Sequence, residues 1–145
     1  MNQPTIFHLA IPINDIPKAK EFYSDGLGCK VGRENKGAVI FNFYGHQVVA
    51  HMTQEPLPEQ ASIYPRHFGL ILPTKLDWEA IATRAKARHL TFYEEPKQRF
   101  LHKLTEHYTF FLEDPFHNLL EFKYYCHWEA IFGGYELAKI GDRSE

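Results

Sequence analysis

Short runs of alternating hydrophobic and polar residues recur along the 145-residue chain, the pattern of strands that bury one face. In IFHLAIP, Phe7, Leu9 and Ile11 point one way and His8 the other. In PRHFGLILP, Phe68, Leu70 and Leu72 oppose His67, and in NLLEFKYY, Leu120, Phe122 and Tyr124 oppose Glu121. GHQVVAHM obeys the same rule, with Val48, Ala50 and Met52 against His51, while His46 has the other parity and is the weaker candidate.

Helix signals divide these runs, and one order of elements is written twice. Residues 6–12 predict a strand, and Asn14-Asp15 followed by Pro17 opens a short helix through KAKEFYSDGLG, stopped by Gly26 and Gly28. Strands follow at about 29–34, 38–44 and 46–52, before TQEPLPEQASIYP breaks the pattern. Residues 67–72 predict the next strand, and Thr74 with Asp77 opens the longer helix DWEAIATRAKARHL, with Trp78, Ile81, Ala82 and Ala85 on one face. Three more strands fall near 90–94, 107–113 and 118–125.

The expected class is therefore α+β, with two βαβββ modules in a single domain spanning 1–145. Module 1 covers about 5–54, a linker about 55–65 and module 2 about 66–126. Two such modules can keep their helices outside and curve a mixed sheet around a central metal-binding cavity. The tail 127–145 lies outside the repeat, and its amphipathic EAIFGGYELAKI suits either a capping helix or a docking segment.

Composition then removes partners. A net charge of -2 offers no basic field for nucleic acid or an anionic membrane, so a small-molecule substrate is expected. MNQPTIFHLA has neither a basic head nor a long apolar segment, which predicts no signal peptide or membrane span and a cytoplasmic location. Cys29 and Cys126 are too few and too far apart for a disulfide framework.

His8, His67 and Glu121 supply two imidazoles and a carboxylate, a donor set for a divalent cation. The competing reading makes them satisfied polar groups in a core, but an unpaired glutamate inside LLEFKYY would be costly to bury.

FHLAIPINDIPKAKEFYSDGLG, GHQVVAHM, RHFGLIL and TFFLEDPFHNLLEFKYY carry a resemblance over about residues 6–125. The chain resembles the vicinal oxygen chelate superfamily, which includes glyoxalase I, the bleomycin and fosfomycin resistance proteins and the extradiol dioxygenases. The resemblance implies that His8, His67 and Glu121 are metal ligands and that His51 is a candidate fourth, where the glyoxalase branch usually has Glu or Gln. It also implies a homodimer, in some members with modules exchanged so that two chains share a metal.

Three ligands leave open positions that suit Fe(II) or Mn(II) and ring-opening oxygenation, with His51 beside them as a base. Four ligands, with His51 among them, suit Zn(II), Ni(II) or Co(II) as a Lewis acid. The stretch from His102 through Phe110-Phe111 and Asp114-Pro115 to Glu121 resembles the extradiol dioxygenase signature, with Phe111 in place of a tyrosine and His117 in place of glycine or proline. Tyr108 and His107 lie on the same hairpin and are candidates to replace the missing hydroxyl.

The reading leans to an extradiol-type dioxygenase. A glyoxalase-type isomerase or lyase and a non-catalytic, bleomycin-resistance-like binder are the alternatives, although such binders commonly lack the three ligands. Further candidates are His51, His102 and Tyr108 for catalysis, with His107 and His117 otherwise read as solvated. Arg99 and Arg33 are candidates to hold a substrate carboxylate, against the competing role of surface ion pairs. Phe111 and Phe43 are candidates to line an apolar pocket, against a plain core role.

Overall fold

The structure, a computed structural model, describes residues 2–143. Asp15 caps the first helix, its Oδ1 accepting from Lys18 N at 2.9 Å. Helix α1 (Ile16–Lys20) runs on into a π-helical turn over Glu21–Gly26. Thr74 caps α2 (Lys75–Ala87) through its Oγ1, which accepts from Asp77 N at 3.1 Å.

Module 1 contributes β1 (His8–Ile13), β2 (Lys30–Glu34), β3 (Ala38–Phe43) and β4 (His46–Met52). Module 2 contributes β5 (Phe68–Ile71), β6 (Thr91–Arg99), β7 (His107–Glu113) and β8 (Leu119–Tyr125). Each module forms its own four-stranded mixed sheet, ordered β1-β4-β3-β2 and β5-β8-β7-β6. The helix crossover makes β1 parallel to β4 and β5 parallel to β8, and every other pairing is antiparallel. The fold is thus α+β with two repeated modules.

Strand β6 runs longer than its sequence predicts, through Pro96 to Arg99. It lies at a sheet edge and its register shifts between residues 92 and 97, where a proline costs no ladder bond. The tail differs as well: among its described residues the helical piece is a 3-10 turn at Trp128–Ile131, and its last two residues lie outside the described span.

One core serves both modules. Phe43 of β3 lies 5.8 Å from Phe68 and 6.2 Å from Phe122, ring to ring, so the two sheets meet through the faces that carry their apolar residues. Burying each such ring contributes about 2–3 kcal/mol. Tyr23 adds a polar tie, its hydroxyl donating to Asp114 Oδ2 at 2.7 Å. The consequence for chemistry is that the opposite faces, bearing His8 on one sheet and Glu121 on the other, do not face one another within a chain. Among the described residues, no helix is long and apolar enough to cross a membrane.

Candidate metal centre

Glu121 sits in the middle of β8, paired with Gly69 of β5 and Phe111 of β7. The glycine is required there: a Cβ at residue 69 would stand 1.6 Å from the Glu121 carbonyl oxygen. His67 precedes β5 and turns its ring over the same face. Its Nδ1 donates to the Ile63 carbonyl at 2.7 Å, which leaves Nε2 aimed at Glu121 Oε1, 3.1 Å away. The other carboxylate oxygen, Oε2, accepts from Thr109 Oγ1 at 2.6 Å, and Phe111 holds the imidazole edge-on with ring centres 5.1 Å apart.

This arrangement asks for a cation. With Nδ1–H committed to Ile63, a neutral His67 would set a nitrogen lone pair against a carboxylate oxygen, and only a proton or a metal between them resolves that. Accordingly the hydrogen bond to Glu121 raises the His67 pKa against the opposing effect of burial. Burial pushes Glu121 up, but the His67 bond, the Lys123 charge and the Thr109 hydroxyl outweigh it and leave the carboxyl below its usual range.

His8 lies on the other sheet, exposed, with Nδ1 bonded to Gln47 Oε1 at 2.7 Å. It does not join His67 and Glu121 within the chain. Among the described residues, the trio of His, Cys, Asp or Glu with ligand atoms within 4.8 Å of one another is instead Glu59, Glu113 and His117. His117 is tied to Glu113 at 2.7 Å rather than solvated, and its φ of 67° marks a backbone position that favours glycine, one of the residue types the extradiol signature carries there.

The expectation that His51 shares an ion with His8 fails on register. His8 pairs with Gln47 and His51 with Pro12, four residues further along β1, or about 13 Å. The repeat itself shows what replaces a fourth donor. Glu121 pairs with residue 69, two beyond His67; two beyond His8 is Ala10, which pairs with Val49. An apolar valine therefore stands in module 1 where module 2 has its carboxylate.

A cavity of about 310 Å³ opens over His67 and Glu121. Arg99 and Phe111 line it, as does His107, which is buried rather than solvated. Burial lowers the His107 pKa, although its Nδ1 bond to the Thr105 carbonyl opposes this. The other candidates lie elsewhere. Tyr108 faces α2, its ring 5.4 Å from Trp78 with Lys75 above it, because it has the opposite parity on β7. Phe43 belongs to the shared core, Arg33 is exposed on β2 of the other sheet, and His102 is exposed in the turn before β7.

The sequence does not single out Thr109 or Lys123, and the tail, expected as a capping helix or a docking segment, instead contributes residues between Ala130 and Gly141 to the cavity wall. The parity that selected Glu121 also puts Lys123 on its face, and the partner strand puts His107, Thr109 and Phe111 there.

The chain matches the Glyoxalase/Bleomycin resistance protein/Dioxygenase superfamily over residues 5–122. It belongs to that superfamily. Within it, the structure is similar to a glyoxalase/bleomycin resistance protein/dioxygenase from Alicyclobacillus acidocaldarius, at 40% identity and a TM-score of 0.84, over 88% of this chain and 96% of that one. A lactoylglutathione lyase from Agrobacterium tumefaciens aligns at 19% identity and a TM-score of 0.64, over 85% and 95% of the two chains. The genomically encoded fosfomycin resistance protein of Listeria monocytogenes aligns at 13% and 0.66, over 89% and 99%. These two likenesses show the fold alone. A comparison with curated proteins returns no match.

Proposed function

We infer that this protein is a metal-dependent enzyme that takes a small molecule by chelation of two adjacent substrate oxygens. The carrying observation is the aimed pair, with His67 Nε2 3.1 Å from Glu121 Oε1 and both outer atoms already held by Ile63 and Thr109. His67 and Glu121 would hold the ion, and His8 of a second copy of this chain would be the third donor. The uncovered His8 face favours a homodimer for that reason. Two imidazoles and one carboxylate suit Fe(II) or Mn(II), which would supply open positions for a bidentate substrate and its ring-opening oxygenation.

The chain's own residues supply the rest. His107, whose pKa burial lowers, would accept a proton from a bound hydroxyl. Phe100, Phe111 and Tyr125 provide flat apolar walls, and tail residues form one side of the cavity.

Glyoxalase-type isomerisation is the second reading, and one observation favours it. Phe111 offers no hydroxyl, Tyr108 faces away, and the Thr109 hydroxyl is engaged by Glu121.

Elemental analysis of the purified protein and of Glu121→Gln, His67→Ala and His8→Ala tests the metal. Uptake by the parent and loss in each folded variant supports the reading, whereas a parent that refuses Fe, Mn, Zn and Ni leaves a binding protein. Oxygen consumption with catechols, set against hemithioacetal isomerisation, separates the two reactions.

A further inference from the structure

The cavity above His67 and Glu121 carries more positive charge than its acid balances. Arg99, Lys123 and Lys139 line it, and Glu121 is the sole carboxylate among the lining residues. A divalent ion bound to Glu121 would widen that excess. Arg99 is enclosed and partnered: its side chain is 13% exposed, its guanidinium lies 5.0 Å from the Phe100 ring centre, and Nη2 is paired with Asp142.

Asp142 reaches Arg99 through a fitted turn of the tail. Gly141 has a φ of 56°, and a Cβ there would fall 2.4 Å from the Tyr64 hydroxyl. The next backbone N–H, of Asp142, donates to that hydroxyl at 2.8 Å, and Ile140 and Arg143 bridge across the turn. The carboxylate so placed is itself 59% exposed. An enclosed guanidinium is thus matched by an acid that water can readily reclaim.

We propose that Arg99 is the recognition group for a carboxylate on the substrate, and that Asp142 holds that place as an internal competitor until substrate arrives. The substrate class is then a small anion with two adjacent oxygens at one end and a carboxylate at the other. This deepens the function proposed above and rests on it for the chelating oxygens alone. On binding, Arg99 exchanges its Nη2 bond to Asp142 for a fork of hydrogen bonds to the substrate carboxylate, while Asp142 returns to solvent.

Two compounds that differ by one carboxylate, 3,4-dihydroxybenzoate and catechol, test this by titration calorimetry of the full chain, metal-free and loaded with Mn(II). The acid is expected to bind about tenfold tighter than catechol in both states, the size of one charge-assisted hydrogen-bond pair. Arg99→Met should erase that preference. Asp142→Asn should raise affinity for the acid about fivefold and leave catechol unchanged. Equal binding of the two compounds, no binding of either, a preference that survives Arg99→Met, or weaker acid binding in Asp142→Asn overturns the proposal. Should Arg99→Met fail to fold, Asp142→Asn decides alone. A carboxylate preference that persists while Mn(II) changes neither affinity would retain the Arg99 site and sink the chelation reading instead.

Discussion

Thr109 donates to Glu121 Oε2 at 2.6 Å, the oxygen that His67 leaves free, so the carboxylate is held from β7 on one side and from the segment before β5 on the other. Thr109 is fully buried and its hydroxyl is the short link between β7 and the candidate ligand. Thr109→Val keeps the shape and removes the bond. Metal affinity should fall by about 10–100-fold, as when other groups that orient a ligand are lost, with a stability loss of about 1 kcal/mol. Thr109→Ser should restore most of the affinity. Direct metal titration and urea denaturation read both effects, and an unchanged affinity in Thr109→Val would show that the bond does not orient Glu121.

Gly69 leaves the room that the Glu121 carbonyl occupies, since β5 pairs with β8 at this residue and a Cβ here would overlap that oxygen. Gly69→Ala cannot be absorbed by a rotamer change, because the atom met is backbone. Overpacking of that kind should cost about 3 kcal/mol or more and shift Glu121 away from His67. Denaturation midpoints measure the cost. A destabilisation under about 1 kcal/mol would mean that the strands part easily there.

The faces of β1, β4, β5 and β8 were legible because alternation alone assigns them, and the observed burial of Leu9, Ile11 and Ile13 opposite His8 follows that rule. How the modules meet was not legible. The contacts of Phe43 with Phe68 and Phe122 join residues far apart in sequence, and each of these reads equally well as core of its own module. Hence the two imidazoles, though placed on the right faces, do not meet in one chain. The burial of His107 is hidden for a related reason: TEHYTF looks polar, yet Tyr125 and Phe100 cover the ring at 5.0 and 5.7 Å. The end of β6 was missed because EEPKQR reads as a turn until an edge position excuses the proline.

If His8 serves the site of a second copy, two inactive variants should complement each other. In a heterodimer of His8→Ala and Glu121→Gln chains, one site draws both defects and the other draws none. Random exchange of subunits in an equal mixture should therefore restore about a quarter of the sites, counted by bound metal. Each variant alone should hold none. No recovery in a mixture shown to contain heterodimers would exclude a shared site.

Asp114 offers a pH test away from the metal ligands. Its Oδ1 accepts from the backbone N–H groups of Phe116 and Asn118 at 2.9 and 2.8 Å, and its Oδ2 from the Tyr23 hydroxyl and Asn118 Nδ2 at 2.7 and 2.8 Å. Burial nevertheless prevails over these four bonds and raises its pKa above the ordinary 3.8. A raised folded-state pKa means that the folded chain holds this proton better than the unfolded chain does. The Asp114 contribution to stability is thus fully present below the ordinary value and is lost as pH rises through the raised one. Asp114→Asn cannot titrate, and its amide meets the Asn118 amide donor to donor, a loss of about 1–3 kcal/mol. The stability of the parent minus that of Asp114→Asn should therefore grow as the pH falls through this window. Urea denaturation across it reads the difference directly, and a difference that shrinks toward acid would show that the four hydrogen bonds, and not burial, govern this carboxylate.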